Sequence, residues 1–280
     1  QTGQVRDYYN SGWYPTGTPT QEDEFDPSNA LVRATLINGA VEMTGRGAYL
    51  NDARYPNNDQ GFGRSKLDRA MYFEGDDRNT NVFDSLKEGE ELETGDTWEK
   101  SFYVDDASEE LEFTLAWTDF PGPEGADGSN PAIVNDLDLK VEGPNGNEYL
   151  GNAFTDYDPG YSEPNPDNNY WNGLRDENKS DGLNTIEDVL LLPDQNELQE
   201  GTYDVTVTAH NVPNGPQPFA FVVSGGFKDA KPPSIEITRP GGGETWEDEV
   251  TESIEWFTSD GDAPTDTVDL SYSVDDGDNW

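Results

Sequence analysis

A strand pattern within residues 132–150 constrains the fold of this chain more than any other feature. Side chains in an extended strand point alternately to opposite faces of a sheet. The apolar residues of the pattern fall at every second position, namely Leu137, Leu139 and Val141. Asp136 and Asp138 therefore share the opposite face, and a Pro-Asn-Gly turn leads into a second strand. The stretch predicts a hairpin with one buried and one polar face.

The same alternation returns in several short runs, which Pro- and Gly-containing turns separate. The clearest runs lie at 111–117, 203–209 and 219–223, and a further apolar run lies at 186–192. Alternating strands without intervening helices are typical of antiparallel sheets with one face on a core. The pattern predicts a mainly β fold, an antiparallel jelly roll or β-sandwich. Residues 80–95 between the first helices and these strands are interpreted as an acidic connection.

The first 73 residues have a helical pattern instead. Asp26 and Pro27 predict an N-cap and a first helical residue, and apolar residues at helical spacing continue to Val41. A second short helix is predicted after Gly63. Helices with such small apolar faces pack on sheets, and we expect the sheet that receives them to lie upstream of this sequence.

Composition changes again near the C-terminal end. Residues 228–233 contain two lysines and two prolines, which indicates a linker. Alternating residues beyond it predict about half of an immunoglobulin-like or fibronectin-like domain. We expect a fragment cut at both ends, because the chain begins and stops inside patterns. The predicted boundaries are 1–79 for the helical segment, 80–227 for the sandwich, 228–233 for the linker and 234–280 for the partial domain.

The charge of the chain limits its partners and its environment. There are 59 acidic and 16 basic residues, a formal net charge of -43. Such self-repulsion opposes a compact state in dilute buffer, whereas molar salt reduces the Debye length to about 3 Å and screens it. The balance predicts a salt-adapted protein. Binding to nucleic acid is disfavoured because phosphates would be repelled.

Other classes of site and segment are also disfavoured by the sequence. The chain has no cysteine, so it forms neither disulfides nor thiolate metal sites. No apolar run reaches the length of a membrane-spanning helix. The first residues have no apolar core of the kind found in signal peptides. We therefore expect no membrane segment in this part of the protein.

Four stretches together resemble the subtilisin-like serine proteases that carry a jelly-roll barrel behind the catalytic domain. Two are similar to the last helices of that catalytic domain and two to its barrel, and the resemblance covers residues 1–227. The stretches are PSNALVRATLINGA at 27–40, NDQGFGRSKLDRAM at 58–71, VNDLDLKVEGPNGNEYLGN at 134–152 and HNVPNGPQPFAFVVSG at 210–225. The resemblance implies that residues 1–79 are the end of an α/β subtilisin-like catalytic domain.

The resemblance implies the C-terminal part of a secreted, extracellular, salt-adapted serine endopeptidase. Its partners would be its own upstream catalytic domain and protein or peptide substrates. No catalytic residue is assigned, because the family's Gly-Thr-Ser nucleophile turn is absent and the single histidine, His210, is interpreted as a surface or turn residue. The alternative is a non-enzymatic β-sandwich stalk or adhesion module of a cell-surface protein.

Members of this family bind calcium in the barrel, through an N-D-L-D-L strand and the loop that follows it. The resemblance implies a calcium site at Asp136, Asp138, Asp167 and Asn172. Carboxylate and amide oxygens are ligands that Ca²⁺ prefers. Asn172 stands where an Asp is usual, and this departure removes charge from the site. The alternative is that Asp136 and Asp138 are solvated acids of an acidic protein.

Overall fold

A computed structural model describes residues 1–44, 56–57, 59–124, 132–155, 160–166, 180–193, 198–229, 234–239, 241 and 253–259. The chain forms two compact units, Gln1–Asp229 and Ala230–Trp280. The helices of the first unit are α1 (Thr2–Asn10), α2 (Asn29–Asn38), α3 (Leu67–Ala70) and α4 (Ser85–Glu88), with a 3-10 turn at Gln21–Asp23.

Antiparallel strands make up most of the regular structure in the described part of the first unit. They are β1 (Ala40–Val41), β2 (Arg64–Ser65), β3 (Asn79–Asp84), β4 (Thr97–Val104), β5 (Leu111–Trp117), β6 (Asp136–Glu142), β7 (Glu148–Leu150), β8 (Ile186–Leu191), β9 (Gly201–Asn211), β10 (Phe219–Gly225) and β11 (Phe227–Asp229). The mainly β fold predicted from the alternation is confirmed.

Two sheets face each other and form a sandwich. The four-stranded sheet has the order β3-β10-β5-β8, and the five-stranded sheet has the order β11-β4-β9-β6-β7. In the first sheet Phe221 pairs with Leu115, and in the second Val207 pairs with Leu139. Strands far apart in the chain are thus neighbours, so the sandwich depends on long-range pairing.

The main core lies between the two sheets and is rich in aromatic residues. Phe221 is fully buried, and its ring centroid lies 5.3 Å from that of Trp98 and 6.0 Å from that of Phe102. The β6 residues Leu137, Leu139 and Val141 enter the same core. Each fully buried large apolar side chain contributes about 1.5–3 kcal/mol through removal of its surface from water.

Helix α2 packs on the outer face of the four-stranded sheet, next to β5 and β10. Small and apolar strand residues receive it, namely Ala116, Ala220 and Val222. The expectation that these helices need a sheet from upstream of the chain is therefore wrong for α2. The physical reason is that β5 and β10 carry buried residues on both faces, so the sandwich itself provides a second apolar surface.

Three local predictions also differ from the structure. The N-cap of α2 is Ser28 and not Asp26, because the Ser28 hydroxyl accepts a hydrogen bond from the Leu31 N–H at 3.0 Å. The interval 80–95, interpreted as an acidic connection, includes residues 80–84 of β3, and β3 pairs with β10 at the edge of the sheet. Residues 228 and 229 of the predicted linker belong to β11, which pairs with β4.

In the second unit the described residues include two strands, β12 (Ser234–Arg239) and β13 (Glu255–Ser259). They pair antiparallel, with Ile237 opposite Trp256, and a register shift lies between Ile237 and Arg239. The remainder of the predicted partial domain lies outside the described residues. The predicted domain boundaries stay a prediction.

Candidate functional site

Strand β6 places the two predicted aspartates on the polar face of the five-stranded sheet. Its residues alternate between half-buried and buried positions up to Val141, as the sequence predicts. Asp138 lies opposite Thr208 of β9, and Asp136 lies opposite Asn211, next to a register shift. The Asp138 side chain retains only 14% of its exposure. Asp138 is therefore more enclosed than a typical surface acid.

A third carboxyl group approaches this strand from the other sheet. Glu187 of β8 is 1% exposed, and its Oε2 accepts a hydrogen bond from the Leu139 N–H at 2.6 Å. Within the described part of the chain, its buried Oε1 has no hydrogen-bond partner. Gly151 makes room for this group, because a Cβ there would lie 2.2 Å from Glu187 Oε2. Glu187 thus joins β8, the edge strand of one sheet, to β6 of the other sheet.

Negative charge accumulates around Glu187. Burial raises the pKa of its carboxyl group well above the ordinary value, and the charges of Asp138, Asp181 and Asp136 raise this pKa further. The hydrogen bond from Leu139 acts in the opposite direction. The site therefore favours either a bound proton or a nearby cation over a lone ionised Glu187.

Asp181 belongs to the same region but has its own donors. It is 1% exposed, and its carboxylate accepts hydrogen bonds from Asn152 Nδ2 and Asn184 Nδ2, both at 2.7 Å, and from the Leu183 N–H at 3.0 Å. Asn152 has a left-handed φ of 57° and also accepts a hydrogen bond from the Asp188 N–H. Amide donors therefore compensate Asp181 without a cation.

The single histidine lies beside the predicted site. His210 Nδ1 is 3.9 Å from Asp138 Oδ2, and the His210 side chain is 33% exposed. This is an ion-pair contact only when the imidazole is protonated. His210 therefore lies beside Asp138 on the outer face of the five-stranded sheet.

The other two predicted ligands, Asp167 and Asn172, lie outside the described residues. Within the residues that the structure does describe, no group of three or more His, Asp or Glu side chains is arranged to hold a metal ion. Sequence reasoning missed Glu187 and Asp181. The available signal was the Glu187-Asp188 pair inside an otherwise apolar strand, since charged residues are rarely fully buried without a partner.

Comparisons with known proteins indicate a distant relationship. The chain is 24% identical to the serine protease/ABC transporter B family protein tagB of Dictyostelium discoideum, over 79% of this chain and 12% of that protein. The tagD protein of the same organism gives 24% identity over 79% of the chain and 13% of its length. The tagA protein gives 30% identity over 49% of the chain and 7% of its length. No protein-family model matches the chain.

These relatives are far longer than the matched region, since the chain spans about an eighth of tagB or tagD. Among the residues whose placement is described, no helix is both long and apolar enough to cross a membrane. The similarity is to proteins with serine protease in their names, and it supports a protease-related role.

Proposed function

We propose that this chain is part of a secreted, salt-adapted, subtilisin-like serine endopeptidase. Residues 1–79 would come from the catalytic domain, and the sandwich at 80–227 would be its jelly-roll barrel. The supporting observation is the extent of the similarity, which covers 79% of the chain. The sandwich is only about half of the chain, so the similarity also includes residues outside it.

The residues of this chain would act by holding helices of the catalytic domain in place. Arg33 of α2 donates hydrogen bonds to Thr185 O at 3.2 Å, to Thr185 Oγ1 at 3.0 Å and to Trp117 O at 3.3 Å. Together with the packing of α2 on β5 and β10, these contacts join helix and sandwich in one compact unit. A serine, a histidine and an aspartate elsewhere in the protein would cleave the peptide bond.

An assay on casein in molar salt tests this proposal. The chain alone is expected to be inert, and a version extended upstream through the Gly-Thr-Ser turn is expected to hydrolyse casein. The matched control replaces the serine of that turn by alanine in the extended version. Hydrolysis by the chain alone would contradict the proposal. An inactive extended protein without such a turn would favour the stalk or adhesion module.

We also propose that calcium binds to Asp136 and Asp138 together with Asp167 and Asn172. The unpartnered Oε1 of Glu187, which lies in the field of Asp138 and Asp136, supports this assignment. Carboxylate and amide oxygens fit a hard cation. When bound, calcium would supply positive charge to a region where buried acids outnumber bases. The side chains of Asp136, Asp138, Asp167 and Asn172 would hold the ion and fix one end of the sandwich.

Thermal unfolding with and without a chelator tests the calcium proposal. Calcium at 100 times its dissociation constant should stabilise the folded chain by about 2.7 kcal/mol. Chelation should lower the unfolding midpoint of the natural chain, while Asp138→Ala should remove this response. Glu99→Gln, which removes an exposed acid of β4, is the matched control and should retain it. Equal responses of Asp138→Ala and the natural chain would contradict the assignment.

Salt adaptation has its own test. The net charge of -43 supports an environment of high salt. Screening at molar salt should raise the unfolding midpoint strongly relative to dilute buffer. A midpoint that stays constant across this range would exclude salt adaptation without affecting the protease proposal.

A further inference from the structure

A layer of buried polar groups lies between helix α2 and the outer face of the four-stranded sheet. Most of this interface is apolar, but its end near Asn38 is polar. The buried polar side chains there come from α2 and from three strands, and they are Asn38, Glu112, Thr114, Asp188 and Ser224. Buried polar groups destabilise a fold unless they are hydrogen-bonded, so their connections determine how well α2 stays docked.

Four of these groups, Asn38, Thr114, Asp188 and Ser224, form one continuous line of hydrogen bonds across the sheet together with Arg78. Arg78, just before β3, donates to Ser224 of β10, and Ser224 Oγ donates to Asn38 Oδ1 at 2.5 Å. Asn38 Nδ2 donates to Thr114 Oγ1 of β5 at 3.1 Å. Thr114 Oγ1 donates to Asp188 Oδ1 of β8 at 2.6 Å. Each group donates to the next one, so the hydrogen bonds run in one direction from the Arg78 guanidinium to the Asp188 carboxyl group.

Two buried carboxyl groups accompany this line: Asp188 forms its acidic end, and Glu112 lies on β5 opposite Ser224. Glu112 is 4% exposed and Asp188 is 2% exposed, and both face the helical layer. Burial raises the pKa of Asp188 to about 7, although the hydrogen bond from Thr114 opposes this. Burial and the charge of Asp188 raise the pKa of Glu112 well above its ordinary value, against the opposing effect of Arg78 and Arg69. Two ionised carboxylates so deeply buried would be costly.

Solvent reaches the neighbourhood of Glu112 through a cavity of about 100 Å³, between residues 40–42 and the edge of the sheet. The cavity is large enough for a few water molecules, which would allow proton exchange. Among the described residues, further charged groups on the elements packed around the two carboxyl groups are Arg33, Glu42, Arg69, Arg78, Glu109 and Glu110.

We propose that Glu112 and Asp188 bind a proton at this interface, and that the bound proton latches α2 onto the sandwich. Loss of the proton would leave a buried negative charge at or beside the hydrogen-bond line and loosen the helical layer. The docking of α2 is therefore tight in mild acid and weaker in alkali. It does not depend on whether the whole protein is a protease.

The direction of the pH effect follows from linkage. A carboxyl group whose pKa is higher in the folded state binds more protons there than in the unfolded state. Its stabilising contribution is complete below the ordinary pKa of about 4 and is lost as the pH rises to about 7 for Asp188. Between pH 6 and pH 8 this corresponds to about a tenfold change in the docking equilibrium.

Hydrogen exchange of the full chain at constant salt tests the latch. After correction for intrinsic rates, the protection factors of α2 amides should fall about tenfold between pH 6 and pH 8. The double variant Glu112→Gln/Asp188→Asn should show no such fall, because neutral amides replace both carboxyl groups. Glu99→Gln should behave like the natural chain. Protection that is independent of pH in the natural chain, or unchanged pH dependence in the double variant, would overturn the proposal.

A second measurement applies if the double variant does not fold. Infrared spectra of the natural chain at pH 6 should contain a carbonyl band of protonated carboxyl groups, because solvated Asp and Glu are ionised at this pH. The band should disappear by alkaline titration and should lose intensity in Asp188→Asn or Glu112→Gln alone. Absence of the band at pH 6 would overturn the proposal.

Discussion

The two sheets of the sandwich share one core but differ on their outer faces. Every residue of β5 and of β10 in the four-stranded sheet is buried. In the five-stranded sheet, β6 and β9 alternate between buried and more exposed residues. The difference arises because α2 covers the first sheet. A covered outer face converts ordinary surface polar residues into buried ones that need partners.

The consequence is visible in comparable polar residues. Thr114 on β5 is fully buried and takes part in two hydrogen bonds within the line that ends at Asp188. Lys140 on β6 keeps 39% of its side-chain exposure and forms an ion pair with Glu148 at 3.2 Å. Removal of a hydrogen-bond partner under α2 should therefore lower the free energy of unfolding markedly. Removal of an ion-pair partner on the open face, the outer face of the five-stranded sheet, should hardly change it.

The largest expected effect belongs to the core that both sheets share. Phe221→Ala should reduce the free energy of unfolding by about 3–5 kcal/mol, because a large cavity replaces a ring packed among other aromatic rings. Denaturant unfolding at constant salt measures this loss. Leu86→Ala, at a side chain that is 59% exposed, is the control and should change little. Equal effects of the two variants would contradict the assignment of the core.

The second effect separates the two outer faces. Asn38→Leu should destabilise the chain by about 1–3 kcal/mol, because Ser224 and Thr114 lose their shared partner inside the interface. Thr206→Val on the outer face of the five-stranded sheet should change the free energy of unfolding by less than about 0.5 kcal/mol. The same denaturant measurement compares them. Similar losses of unfolding free energy in the two variants would show that polar residues contribute equally on the two outer faces.

A smaller effect concerns the start of the covering helix. Ser28→Ala removes the side-chain cap of α2 and should cost about 1 kcal/mol. Ser28→Asn retains a capping oxygen and should recover most of the loss. Thermal unfolding of the three proteins provides the comparison. No difference between the alanine and asparagine variants would indicate that the cap contributes nothing.

The smallest effect is expected on the open face. Lys140→Met removes an exposed ion pair and should change the free energy of unfolding by about 0.5 kcal/mol or less, with a still smaller effect in molar salt. Unfolding at low and high salt checks both statements. A loss comparable with that of Asn38→Leu would mean that the polar groups of the open face are as important as those under the helix.

Only part of the candidate site could be predicted from the sequence. Alternation along β6 was sufficient to put Asp136 and Asp138 on one face. Glu187 comes from a strand of the opposite sheet, and its approach to Leu139 depends on how the two sheets meet. No local pattern contains that information. The assignments of Asp167 and Asn172 stay predictions.

The sequence by itself determined which residues enter the central core, because a period of two separates the two faces of any strand. It also determined the net charge of -43, since charge is a property of composition. Tertiary structure alone decided that α2 covers β5 and β10, because both faces of those strands had to find a partner at once. Burial of Glu112 and Asp188 likewise depends on tertiary structure, because the strands that carry them pair with each other and with β10 from distant parts of the chain.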